Sequence, residues 1–181
     1  MAWQTDHKTL TRQRILRSAA KLFSLHGYEL VGINEVMADA ELTRGAFYSH
    51  FKSKSDLYAE AVMNSANEIT TFFSNTPTDT FVKSYLSTNH KEGEFVRCPL
   101  AFMVTDITQR DTQVRDAYTK VFKGFVNRLV ENKDHKQPLE LTEALQKAVI
   151  LIGGVAISRA INDDDLAGQL LKACQSGLLG D

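Results

Sequence analysis

The sequence predicts an all-α fold of about nine helices, and three observations support this class. Hydrophobic residues recur at helical spacing along almost the whole chain. No stretch longer than a few residues alternates apolar and polar side chains as a half-buried strand does. The three prolines, Pro77, Pro99 and Pro138, each lie near a predicted helix start, where the missing backbone N–H costs little. With 181 residues and 43% hydrophobic content, the chain is long enough to bury a substantial core.

The predicted helices have recognisable starts and stops. Gly27 is a natural end for the first helix, and Ser53 with Asp56 forms a capping box before a long one. Pro77 is expected at the first position of its helix, and Asp111 and the "NDDD" run can cap two others. A very short helix lies within residues 42–58, and the others span about 9–26, 33–40, 54–73, 77–89, 99–108, 111–132, 139–161 and 163–178. Residues 90–94 and 132–138 are predicted loops.

Composition favours a soluble cytoplasmic protein. The net charge is −1, and the two cysteines, Cys98 and Cys174, form neither a CxxC pair nor a disulfide framework, which suits a reducing compartment. The N-terminus lacks the apolar core of a signal peptide. The longest apolar run, residues 148–157, is about half of the ~20 residues that a membrane span needs. We therefore expect no membrane partner.

The chain carries no recognisable catalytic motif. Its five histidines are scattered, and there is no HExxH, no GxSxG, no phosphate-binding loop and no GxGxxG. The sequence therefore predicts that the protein is not an enzyme and has neither a cofactor nor a metal site.

The segment "LTRGAFYSHFKSKSDLY", residues 42–58, has the chemistry of a DNA-reading helix. Two short helices joined by a turn of three or four residues form a helix-turn-helix, whose second helix enters the major groove. Phe47 and Phe51 are spaced to share one buried face. Arg44 can read guanine, and Gly45 allows DNA to approach the backbone closely. The alternative is a small helical subdomain whose charged face is merely solvated. The residues of this segment that we assign to DNA binding are Thr43, Arg44, Gly45, Tyr48, His50, Lys52 and Lys54.

Residues 11–62, "TRQRILRSAAKLFSLHGYELVGINEVMADAELTRGAFYSHFKSKSDLYAEAV", resemble the N-terminal DNA-binding domain of the TetR family of transcriptional repressors. The matching parts are "RILRSAAKLF..HGY" and "TRGAFYSHFKSKSDL". The resemblance implies a helix-turn-helix headpiece, residues 1–53, and a ligand-sensing and dimerisation domain, residues 54–181. It also implies a homodimeric repressor that binds a palindromic operator and is released by a ligand. Positions that match family DNA contacts are Thr43, Arg44, Gly45, Tyr48, His50 and Lys54.

Two positions depart from the family pattern. Glu41 stands where members usually have a glycine, so we expect a left-handed backbone there, at a cost of roughly 1 kcal/mol, and a negative charge facing the DNA. The residues "VGIN" replace the usual threonine before the second helix. Asn34 is expected to serve instead as the helix cap and as a donor to DNA.

The C-terminal part predicts an effector site less specifically. Residues 97–118 resemble a segment of some TetR-type regulators. Aromatic and sulfur side chains of several predicted helices in this part of the chain could line a cavity for a small apolar effector or simply fill the core. Asp106, on an otherwise apolar helix, could anchor a ligand, cap a helix or be solvated. The candidate ligand contacts are Phe72, Phe102, Met103, Asp106, Tyr118 and Phe122.

Cys98 is a candidate redox sensor. It lies between Arg97 and Pro99 at a predicted helix start, and both a helix N-terminus and a neighbouring cation lower the pKa of a thiol. A thiolate at this point would react with an oxidant or an electrophilic effector. A small buried residue is the alternative.

The predicted helix at 139–161 is apolar on most sides, so it needs partners on more than one face. Together with the last helix it is expected to form a four-helix bundle across a two-fold axis, and ordinary intrachain burial is the alternative. The candidate interface residues are Ile152, Gly153, Ala156, Leu170 and Cys174.

The main alternative function is a ligand-binding or scaffold protein whose headpiece does not read DNA. Glu41 and the near-zero net charge favour this alternative.

Overall fold

The computed structural model describes residues 2–73, 76–93, 97–131 and 138–180. Within these ranges the fold is all-α, without strands, which confirms the predicted class. The eleven helices of the described ranges are α1 (Ala2–Leu30), α2 (Ile33–Asp39), α3 (Arg44–Phe47), α4 (Lys54–Phe72), α5 (Thr78–Tyr85), α6 (Thr88–Glu92), α7 (Pro99–Phe102), α8 (Val104–Ile107), α9 (Thr112–Val130), α10 (Leu141–Ala160) and α11 (Asp164–Leu179).

Two local breaks explain why the described chain has more helices than predicted. The predicted helix at 77–89 ends after Tyr85, because Ser87 starts a new one by accepting a hydrogen bond from the His90 N–H at 3.2 Å. The resulting α6 occupies part of the predicted loop at 90–94. The predicted helix at 99–108 is interrupted at Met103, whose φ of −119° and ψ of 2° are not helical.

The predicted helix ends are largely present. Gly27 adopts a φ of 76° and breaks the regular backbone of α1, although the helix starts at Ala2 rather than near Thr9. Pro77 lies at the N-cap of α5, one position earlier than expected. Three side chains each cap a helix by accepting from the N–H three residues later, at 3.0 to 3.1 Å: Ser53 from Asp56, Asp111 from Val114 and Asp163 from Leu166.

The long helix α4 connects the N-terminal helices to the rest of the molecule. It packs against α1 and against α9, and α10 packs in turn against α9 and α11. Leu57, Ala61 and Val62 of α4 are completely buried. The buried hydrophobic residues form one cluster that reaches from α1 to α11. Because protein interiors are close-packed, a displacement of α4 must be accommodated on both of its sides.

Helix α10 has one buried and one exposed apolar face. Ala144, Ala148 and Leu151 are fully covered within the chain. On the other face large hydrophobic side chains are exposed: Leu141, Leu145, Val149 and Ile157. Among the described residues, α10 is the one helix long and apolar enough to cross a membrane. Length and composition are weak evidence for that, since a core helix of a soluble protein meets the same criteria.

Candidate nucleic-acid interface and sensing domain

The short helix α3 is held to the protein by two aromatic side chains. Phe47 and Phe51 are 0% and 2% exposed, and their ring centroids lie 5.8 Å apart. The segment docks in this way because the i, i+4 spacing puts both rings on one side of a helical turn. The polar side chains of the same segment are thereby left on the outer side.

The outer side of α3 is open. Thr43, Arg44 and Gly45 are exposed, and Tyr48 is 61% exposed. No atom lies within 4 Å of the point that a Cβ on Gly45 would occupy. Thr43 is the N-cap residue but makes no side-chain capping bond, so its hydroxyl remains a possible donor. These four residues form a surface that another molecule can approach without displacing any part of the described chain.

Glu41 occupies the left-handed position predicted for it in the turn between α2 and α3. Its φ is 53°, and it is the one non-glycine residue with a positive φ in the described chain. Arg14 approaches this turn, donating to the Ala40 carbonyl at 2.7 Å and contacting the Glu41 carboxylate at 3.4 Å. The negative charge of Glu41 is therefore partly offset by a neighbouring cation.

The remaining predicted DNA contacts differ in exposure. Lys52 is exposed, and so is Asn34 at the start of α2. The predicted helix cap at Asn34 is wrong, because the N-cap position is Gly32 and no side chain caps α2. His50 is half-buried, and its Nδ1 is covered and has no hydrogen-bond partner. Burial, then the charges of Lys8 and Arg12, lower the pKa of His50.

Lys54 makes a contact that the sequence analysis missed. Its ammonium lies 4.1 Å from the centroid of the Tyr28 ring, and burial lowers its pKa. Arg110 lies near the same ring, with its Cζ 4.4 Å from the centroid. Tyr28 thus contacts two cations, one from the start of α4 and one that follows α8.

Asp106 on α8 connects the C-terminal part of the chain with the N-terminal helices. It accepts a 2.7 Å hydrogen bond from the Tyr58 hydroxyl and a longer one, 3.4 Å, from the Tyr28 N–H. Burial, together with the hydrogen bond to Asp106, raises the pKa of Tyr58. Arg110 adds a 2.6 Å ion pair to Glu29. We call Tyr28, Glu29, Tyr58, Asp106 and Arg110 the interdomain junction.

Comparison with known proteins shows which family the N-terminal residues resemble. Residues 15–61 match the family model described as bacterial regulatory proteins, tetR family. Over 50 residues, 28% of this chain and 23% of the relative, the sequence is 50% identical to the HTH-type transcriptional regulator AcrR of Shigella flexneri. Over residues 15–61 the chain is similar to the tetR family of regulatory proteins. The family resemblance identified in the sequence is confirmed for these N-terminal residues.

Similarity beyond the headpiece is weaker. The alignments with the first curated relatives span only about a quarter of their lengths, 23% and 27%. The uncharacterised HTH-type transcriptional regulator YxaF of Bacillus subtilis is 24% identical over 167 residues, 84% of this chain and 87% of the relative. A solved TetR-family regulator from Cytophaga hutchinsonii shares the fold, with a TM-score of 0.76, 16% identity and 96% of each chain covered.

The predicted ligand contacts differ in burial and in their hydrogen-bond partners. Met103 is 1% exposed, and Phe102 and Phe122 are half-buried. The Tyr118 hydroxyl donates to the Leu100 carbonyl at 3.0 Å, and burial raises the pKa of Tyr118 to about 12. Asp106 faces the interdomain junction. The side chain of Phe72 lies outside the described part of the chain.

The expected low pKa of Cys98 is wrong. The thiol is 2% exposed and accepts a 3.1 Å hydrogen bond from the Tyr85 hydroxyl. Burial raises the pKa of Cys98, although the hydrogen bonds from Tyr85 and from the backbone of Leu100 and Ala101 act in the opposite direction. Helix α7, whose N-terminus was expected to stabilise a thiolate, has only four residues. Desolvation therefore outweighs the effects that the sequence suggested.

The predicted dimer residues are partly used within the chain. Ile152 is 8% exposed, so most of it already contacts the core. A Cβ on Gly154 would lie 2.8 Å from Leu86 and 3.1 Å from Cys174, so this glycine serves intrachain packing. In contrast, nothing lies within 4 Å of a Cβ placed on Gly153. The half-buried side chains of Ala156, Leu170 and Cys174 leave part of their surface available.

Proposed function

We propose that this chain is a TetR-family transcriptional repressor that binds a palindromic operator as a homodimer and is released by a small-molecule effector. Its place of action is the cytoplasm. Residues 1–53 read the DNA, and residues 54–181 bind the effector and dimerise.

The observation that carries this proposal is the outward face of α3. Phe47 and Phe51 fix the helix, while Thr43, Arg44, Gly45 and Tyr48 remain exposed. A short helix with this chemistry suits the major groove, where arginine reads guanine and hydroxyls bind bases or phosphates. The side chains of Asn34, His50, Lys52 and Lys54 are suited to contact the flanking phosphate backbone.

Two reading helices must lie about 34 Å apart to enter successive major grooves, so the proposed activity requires a dimer. The exposed apolar face of α10, with Leu166 of α11, offers the surface for it. Three of the predicted interface residues follow this face closely along the sequence and are only partly buried: Gly153, Ala156 and Leu170. A four-helix bundle of α10 and α11 from both chains would cover these side chains.

Release by an effector is proposed as a shift between two spacings of the headpieces. An effector that prefers one conformation of the sensing domain shifts the population toward it and weakens DNA binding by the same coupling energy. Phe102, Met103, Tyr118 and Phe122, together with Phe72, are the side chains we assign to effector contact. Helix α4 and the interdomain junction connect this region with the headpiece.

The test is selection of duplexes from a random DNA library, followed by gel-shift titration of the enriched sequence. We expect a two-fold symmetric site whose binding weakens steeply with salt, because phosphate contacts release counterions. Arg44→Ala should relax the base preference, and Lys52→Ala should weaken all sequences alike and reduce the salt slope by about one.

Lys83→Ala is the matched control, since Lys83 is exposed on α5, which packs against α10 and α11. If no sequence is enriched, or if Arg44→Ala binds every duplex as the unmodified chain does, the chain is better described as a ligand-binding or scaffold protein.

A further inference from the structure

Two arginines meet at one aromatic ring beside the end of α6. The Cζ of Arg159, on α10, lies 3.6 Å from the centroid of the Phe102 ring. Arg97 reaches the same place from the segment before α7. A Cβ on Gly93 would lie 3.0 Å from Arg97 Nε and 3.1 Å from Phe102 Cε1. Gly93 has a φ of 73° and no side chain, so it leaves the space in which Arg97 and Phe102 pack together.

These two guanidinium groups have no carboxylate partner in the described chain. Arg159 donates through Nη1 to the Lys91 carbonyl, at 2.8 Å. The Nε of Arg97 is covered and has no hydrogen-bond partner at all. The carboxylate of Glu92, which is close enough to act on Arg159, is paired instead with Lys91 at 3.1 Å.

Both guanidinium-bearing side chains are partly withdrawn from water. Burial lowers the pKa of Arg159, the charge of Glu92 opposes that shift, and the charge of Arg97 has a smaller effect that lowers the pKa further. Two cations that are partly withdrawn from water repel each other unless an anion lies between them. Arginine is the side chain best suited to bind such an anion, because its planar guanidinium group binds carboxylate and phosphate oxygens in a bidentate manner.

We propose that Arg97 and Arg159 form an anion-binding subsite for the effector, one that takes a carboxylate or phosphate group carried on an apolar body. This inference rests on the proposed ligand-sensing function and narrows its effector class. The Phe102 ring, whose centroid lies 5.8 Å from that of the His90 ring, offers the adjoining apolar surface. The effector is therefore an amphiphilic acid, and a neutral molecule of the same length binds more weakly.

The experiment is a calorimetric titration of the full-length chain with three probes of one chain length: decanoate, decyl phosphate and 1-decanol. We expect at least one of the two anions to bind more tightly than decanol. Arg97→Gln should weaken binding of that anion by about tenfold or more, since it removes charge-assisted hydrogen bonds, and should leave decanol unchanged. Arg115→Gln, on exposed α9, makes the same chemical change elsewhere and should bind as the unmodified chain does.

Comparing decanoate with decyl phosphate tells whether the site takes a carboxylate or a phosphate, and inorganic phosphate alone tests whether the apolar body is needed. Equal binding of the anions by Arg97→Gln and the unmodified chain overturns the proposal, and so does an affinity for decanol that matches both anions. If Arg97→Gln does not fold, Arg159→Lys is used in its place. This variant keeps the charge but loses the planar guanidinium group, and we expect the same loss of anion affinity.

The gel shift without probe separates this inference from the proposed function. If the chain binds the operator and its anion binding does not depend on Arg97, the proposed subsite is wrong and the proposed repressor function is retained. Anion binding that depends on Arg97 in a chain that binds no DNA supports the subsite and removes the repressor.

Discussion

Tyr58 donates a 2.7 Å hydrogen bond from its hydroxyl to the carboxylate of Asp106, and these two residues belong to different parts of the fold. Tyr58 is completely buried on α4, the helix that starts at the headpiece, and Asp106 lies on α8. Because Asp106 also accepts from the Tyr28 N–H, one carboxylate joins α8 to α4 and to the end of α1. A displacement of α8 would act on α4 and on the end of α1, which belongs to the predicted headpiece, through this side chain.

Tyr58→Phe should lower the free energy of unfolding by about 1.5–3 kcal/mol, the usual worth of a hydrogen bond to a charged group. The substitution removes only the hydroxyl, so the ring packing against Phe23 and Tyr28 is kept. Urea unfolding followed by circular dichroism measures the effect. Tyr48→Phe is the matched control, because Tyr48 is exposed and its substitution should leave the unfolding curve in place. An equal effect of both substitutions would show that the Asp106 contact contributes nothing.

Glu41→Gly should stabilise the headpiece and strengthen DNA binding. Glycine adopts the observed φ of 53° without the strain that a side chain adds. Since glycine also gains entropy in the unfolded chain, we expect a net increase of up to about 1 kcal/mol in the free energy of unfolding. Glu41→Gln separates the two effects, because it removes the charge and keeps the strained backbone. It should strengthen DNA binding without raising stability, and a destabilised Glu41→Gly protein would contradict this account.

His90 should make the folded chain less stable in mild acid. Burial lowers the pKa of His90 from its ordinary value of 6.5, and its Nδ1 lies 2.6 Å from the Tyr85 carbonyl. As the pH falls through 6.5, the unfolded chain takes up a proton that the folded chain resists, so the free energy of unfolding decreases until the pH reaches the lower, folded-state pKa. The slope from one such group is at most about 1.4 kcal/mol per pH unit.

Urea unfolding of the unmodified chain and of His90→Asn, from about pH 5 to about pH 8, measures this contribution. The variant should lose part of the slope, and a part should remain because burial also lowers the pKa of His50. Asn162→Ala, at an exposed position without a titrating side chain, is the control and should leave the slope unchanged. A slope that is identical in His90→Asn would show that His90 does not contribute.

Local features of this fold could be predicted from the sequence, whereas contacts between distant segments could not. The caps at Ser53 and Asp111 are short-range patterns, and the pairing of Phe47 with Phe51 follows from helical spacing alone. The bond from Tyr58 to Asp106 joins residues 48 positions apart, and no periodicity indicates it. The lowered pKa predicted for Cys98 is wrong for a related reason.

The sequence shows the cation beside Cys98 but not the depth at which the thiol is buried. Its neighbour Arg97 illustrates the same limit, because a covered Nε without a hydrogen-bond partner among the described residues becomes visible only once the folded neighbours are known.

Val149→Glu should convert the proposed homodimer into a folded monomer. Val149 is 65% exposed on the apolar face of α10, so its substitution leaves the intrachain core intact. In a dimer the carboxylate would be buried in an apolar interface without a partner, which costs several kcal/mol. Sedimentation velocity measures the assembly, and circular dichroism checks that the helices persist. Lys120→Glu, which places a new carboxylate on the exposed side of α9, should leave the dimer intact. If Val149→Glu sediments as the unmodified dimer does, the two chains meet through a surface other than α10.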